Sequence, residues 1–122
     1  MKVAKQNVDI LGVVASLTCA LHCLAVPLLI VWLGTEANHT SHHVFDLIMI
    51  CVGVYLATVS LLPTIKSTKN AVLTLLLALG VCAFGSSFFF DHSVSHFLFA
   101  TGGISWAAAH AFKIFYLDRI AR

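Results

Sequence analysis

The sequence predicts an all-α, polytopic membrane protein with four transmembrane helices in an up-down bundle. Three observations predict it. Of the 122 residues, 60% are hydrophobic and only 10% are charged, more apolar side chain than a soluble chain this short can bury. The apolar residues gather into four runs, at about 10–33, 44–62, 71–90 and 97–117. Each is near the ~20 residues that a helix needs to cross a hydrocarbon core. Strict alternation is missing, and four segments cannot close a barrel, so strands are excluded. The third observation is the placement of charge. Lys2 and Lys5 precede the first run, Lys66 and Lys69 follow the second, and Lys113, Arg119 and Arg122 close the fourth. All lie at one end of an up-down bundle, so the positive-inside rule puts both termini in the cytoplasm.

The elements follow in order. The first run has a basic start and is as long as a full span. It carries Cys, His and Pro27 and lacks a small-x-small cleavage site, so it reads as a retained first helix rather than a signal peptide. A polar loop, 34–43, leads to the second run, which is expected to stop at Pro63 because proline removes an in-helix donor. Residues 64–70 form a short basic turn, and Asp91–His96 a short His-rich turn on the opposite side. Gly53, Gly80, Gly85, Gly102 and Gly103, with Ser105, Ala107, Ala108 and Ala109, are small residues that let membrane helices approach. No GxxxG stands out, which leaves a homo-oligomer open.

Chemistry concentrates in the first helix. Cys19, His22 and Cys23 are three and four apart and share a face. The same stripe continues through Asp9, Gly12, Ser16 and Pro27. Ionisable groups at membrane depth default to a functional reading. An i, i+4 cysteine pair has poor disulfide geometry; two thiols and an imidazole instead suit a soft or borderline metal ion such as Hg²⁺, Zn²⁺ or Cu(I). Counting inward from Leu33 puts His22 at a depth of ~16 Å, and counting from His96 puts His110 at ~21 Å. His110 is therefore expected to complete the site. Cys51 and Cys82 are isolated and read as small buried apolar residues. A second, outer cluster is expected from His42, His43 and Asp46 on one hairpin and His92 and His96 on the other, beside Asp91. Imidazole and carboxylate at such spacing suit zinc, and the cluster would feed the inner site.

Two other functions fit parts of the pattern. His22 and His110 could be axial ligands in a haem-binding electron carrier. Cys19 and Cys23 could serve a membrane thiol oxidoreductase, although the redox spacing is C-x-x-C and here three residues intervene. No Gly-rich phosphate loop, hydrolase pattern or basic face occurs, so a nucleotide-using enzyme and a nucleic-acid partner are both excluded. The expected partners are the lipid bilayer and a metal ion, with no organic cofactor.

The motif Asp9-x-x-Gly12, Ser16, Cys19-Ala20-Leu21-His22-Cys23 and Pro27 resembles the MerC-type mercuric-ion transport family. Gly103 to His110 is similar to the Gly-x-x-x-x-x-x-His of the family's last helix, although Lys113 stands where the family often has a polar residue such as Asn. The resemblance covers essentially the whole chain and implies one transmembrane domain over 1–122. It further implies import of a thiophilic metal ion across the bacterial inner membrane, with the first-helix cysteines as ligands.

Overall fold

A computed structural model describes residues 2–34 and 39–120; the side chains of 2–6, 39–43, 92, 93 and 118 lie outside that description. No strand occurs among the described residues. Helix α1 spans Lys2–Leu33 and starts two turns before its apolar run. It passes through Pro27 and ends where Gly34 turns left-handed at φ +62°, its N–H donating to the Ile30 carbonyl at 2.9 Å. Glycine meets that backbone without a Cβ penalty, which is why the helix stops there.

Helix α2 corrects one expectation. It does not stop at Pro63. It runs as His39–Leu56, widens into a π-helical turn at Ala57–Leu61, and continues as Leu62–Thr68. The Leu62 N–H reaches back five residues to the Ala57 carbonyl. Pro63 thus falls in the first turn of a new α-helical segment, where a missing N–H costs nothing. Lys69 (φ 50°) and Asn70 make the link to α3, Ala71–Ser87. The Asn70 side chain caps that helix, accepting from the N–H groups of Val72 and Leu73. Helix α4 is His92–Phe112, followed by a π turn at Lys113–Leu117 and a last turn at Asp118–Ile120. The two loops expected at 34–43 and 91–96 are shorter than read, because polar residues at their ends are already helical.

Helix α4 is central, packing most extensively on α1 and α3, while α2 lies against α1. Small residues set these approaches. A Cβ on Gly103 would stand 2.8 Å from the Ser16 carbonyl oxygen, so α1 and α4 nearly touch there. Trp106 is buried in the space that Gly80 and Gly53 leave open, donates to the Leu77 carbonyl at 3.3 Å, and meets Phe84 edge-on.

The outside of the bundle is apolar. Leu21, Leu28, Val31, Trp32, Leu47, Leu75, Phe89 and Phe97 are all exposed. Asn7–Leu33 and Val44–Thr68 are long and apolar enough to cross a membrane, and Ala71–Ser87 is a shorter apolar helix. Most of each long span is not buried inside the protein, which is the pattern of helices solvated by lipid rather than of a soluble core.

Candidate metal centre

Cys19 and Cys23 sit one turn apart on the buried side of α1 and interact side chain to side chain. Ala100 of α4 packs on them, with Met49 and Phe99 alongside. Cys23 is 1% exposed. The stripe that holds them is buried because α1 lays its small residues, Gly12, Ser16 and Ala20, against α4.

Beside the thiols stands Asp46 of α2, also buried. The His22 Nδ1 lies 3.6 Å from an Asp46 carboxylate oxygen, and the His22 ring tilts onto Phe45 at 4.2 Å between centroids. Ligand atoms of His22, Cys23 and Asp46 all fall within 4.8 Å of one another. Donors on one tetrahedral zinc stand roughly 3.5 Å apart at bond lengths of ~2.0–2.3 Å, so side-chain shifts of about 1 Å bring all three onto one ion. The set mixes a thiol, an imidazole and a carboxylate, and Cys19 supplies a second thiol from the adjacent turn. The sequence groups Asp46 with the outer histidines; its side chain turns toward α1 and joins His22 and Cys23. Of the outer set, the side chains of His42, His43 and His92 lie outside the described residues, and His96 is half-buried near the start of α4.

His110 is placed elsewhere. Helix α4 starts at His92 rather than after His96, which carries His110 about one turn further from the outer end than counted. Its imidazole lies over Gly12, where a Cβ would come within 2.5 Å of the ring. Gly12 is ten residues from His22, ~15 Å along α1. His22 and His110 are thus too far apart to be the two axial ligands of one iron, which sets the haem reading aside.

What His110 joins is a second buried cluster. Its Nδ1 is 3.4 Å from an Asp9 carboxylate oxygen. The Lys113 ammonium reaches both Asp9 oxygens, at 2.9 and 2.8 Å, and donates to the Ser60 hydroxyl at 2.7 Å and the Ser60 carbonyl at 3.2 Å. The Ser60 hydroxyl in turn donates to Asp9. Asp9 and His110 are each 1% exposed and Lys113 is 6% exposed. Ser60 comes from the π turn of α2 and Lys113 opens the π turn of α4, and such turns mark functional positions often enough to note. Lys113, counted from the sequence as one of the basic residues at the cytoplasmic end, is a buried ion-pair partner. The available signal was a lone Asp and a lone Lys, each inside the margin of an apolar run in a chain with few charges.

Cys51 and Cys82 are exposed on the outer surface of α2 and α3, not buried in the protein. Their apolar neighbours in the sequence do not place them in the protein core.

The family model of the MerC mercury resistance protein matches residues 9–115. That range takes in both clusters. Comparison with curated proteins and with solved structures finds no match. The chain belongs to the MerC family of mercury resistance proteins.

Proposed function

We propose that this MerC-family chain moves a thiophilic or borderline divalent metal ion, Hg²⁺ or Zn²⁺, across the bacterial inner membrane. Cys19, Cys23, His22 and Asp46 are its cargo ligands. The observation that carries the reading is the convergence of Cys23 with His22 and Asp46 between α1 and α2, with the Cys19 thiol against Cys23 one turn away. Soft thiols select soft ions. Imidazole and carboxylate widen the range to zinc. A dication bound by two thiolates has its charge balanced on the spot, which eases its passage through a low-dielectric interior. All four helices span the bilayer in this reading. Both termini are cytoplasmic and the His-rich loops face the periplasm, where His42, His43, His92 and His96 would gather metal for the inner site.

The test is uptake of labelled Hg²⁺ and Zn²⁺ by cells making equal amounts of parent, Cys19→Ser and Cys23→Ser. Serine nearly preserves volume and removes the soft ligand, so each variant should insert normally and lose uptake. Parental uptake by both variants would mean that the cysteines are packing residues. A thiol oxidoreductase would instead show thiol oxidation coupled to a partner's reduction, with no dependence on metal.

A further inference from the structure

The mechanism above leaves Asp9, Ser60, His110 and Lys113 unused. Burying a carboxylate and an ammonium together is expensive, and neutral packing of similar volume is often as stable. Three helices nonetheless deliver polar groups to this one point. The cluster also lies on the same α1 stripe as the thiols. Asp9, Gly12, Ser16, Cys19 and Cys23 follow one another at steps of three and four, and all are buried. Across from that stripe, Gly103 leaves the Ser16 backbone accessible to α4. A seam of small and polar groups therefore runs ~15 Å from Cys19 to Asp9.

The donors at the far end are those of a cation site. Asp9 offers two carboxylate oxygens, Ser60 a hydroxyl and a carbonyl oxygen, and His110 an imidazole nitrogen. A cation already occupies the oxygens of this set. The Lys113 ammonium makes four contacts of 2.7–3.2 Å, all to oxygen. Lysine is a compact charge on a flexible four-carbon stem, so it can leave without a helix moving.

We infer that Asp9, Ser60 and His110 form a second divalent-cation site of oxygen and nitrogen donors, in which the tethered Lys113 ammonium stands in for the ion until cargo arrives. The ligand class is a borderline dication, for which Zn²⁺ is the natural probe, because imidazole with carboxylate suits zinc better than mercury. Cargo leaving the thiols would take the place of Lys113, and the ammonium would swing back once the ion has gone. The carboxylate then always has a cationic partner. As a step in transport, the site rests on the reading of Cys19 and Cys23 as cargo ligands; as a binding site, it can be tested without them.

The binding experiment uses the purified full chain carrying Cys19→Ser and Cys23→Ser, titrated with Zn²⁺ alone. Adding Lys113→Gln removes the competing ammonium. It should create one further Zn²⁺ site per chain, or tighten binding at least about tenfold, and adding Asp9→Asn should abolish that gain. No gain from Lys113→Gln in a folded chain overturns the inference. If that variant does not fold, the neutral pair Asp9→Asn with Lys113→Met decides it in the thiol-intact chain. A merely structural ion pair is replaceable by such a pair, so parental Hg²⁺ and Zn²⁺ uptake would overturn the inference. A loss of about tenfold or more, with thiol-bound Hg²⁺ affinity unchanged, supports it. Cys19→Ser run in parallel separates the two readings. Lost uptake there with parental uptake in the neutral pair removes the second site alone, and parental uptake in both removes the transport reading with it.

Discussion

The two buried clusters of this MerC-family protein are built on opposite plans. Around Cys23 the chain collects a second thiol, an imidazole and a carboxylate, and among the described residues no Lys or Arg pairs with Asp46. Around Asp9 it collects a carboxylate, a hydroxyl and an imidazole with an ammonium already among them. Among the described residues the first is a set of donors with no ammonium or guanidinium in it; the second contains an ammonium. The difference shows that burial of a polar group has two solutions in a membrane protein. In the first cluster thiols, which tolerate apolar surroundings, stand beside the Asp46 carboxylate, whose partner is the His22 imidazole. In the second the Asp9 carboxylate, reached by groups from two other helices, is partnered by an ammonium as well as an imidazole.

The largest effect that would break this comparison is on transport. Cys19→Ser and Cys23→Ser should each abolish Hg²⁺ uptake while leaving thermal unfolding in detergent close to parental, because neither leaves a buried charge exposed to a missing partner. Lys113→Met should do the reverse in stability. It strands the Asp9 carboxylate, which costs about 3–5 kcal/mol when a buried pair loses one member, and differential scanning of the purified variant should show a clear drop in midpoint. Gly12→Ala comes next. Its methyl would meet the His110 ring, and overpacking of this kind costs about 1–3 kcal/mol; the same assay should place it between Lys113→Met and the cysteine variants. The smallest expected effect sharpens the thiol cluster itself. His22→Ala should weaken Zn²⁺ binding more than Hg²⁺ binding, since two thiolates can hold mercury alone while zinc seeks four ligands. Calorimetric titration of parent and variant with each ion measures the difference.

The helices were legible because lipid leaves no ambiguity about which residues may face outward, and an apolar run of about 20 residues reads directly as a helix in such a chain. The sharing of one α1 face by Cys19 and Cys23 was legible for the same reason that any i, i+4 pair is. Asp46 was visible as a ligand type but was grouped with His42 and His43 by nearness in sequence; only the packing of α2 on α1 aims it at His22. The burial of Lys113 was not legible, because a charge count at a helix end does not distinguish a lysine in water from one folded back onto a carboxylate. Pro63 was read as a stop because a π turn has no local sequence mark that would offset the missing donor. His110 was placed too shallow because polar residues 92–96 looked like loop, whereas a helix can extend past the apolar run that identifies it.

The exposure of Cys51 and Cys82 divides the four thiols into two kinetic populations. A small alkylating reagent that partitions into lipid should modify this pair rapidly, whereas Cys19 and Cys23 wait for the helices to part. If the chain binds mercury as proposed, a count of mercury per chain would therefore include contributions from these two exposed sulfur atoms. Blocking the rapid population first converts the remaining stoichiometry into a direct measure of the buried pair, and the rate of the slow population becomes a clock for how often the bundle opens.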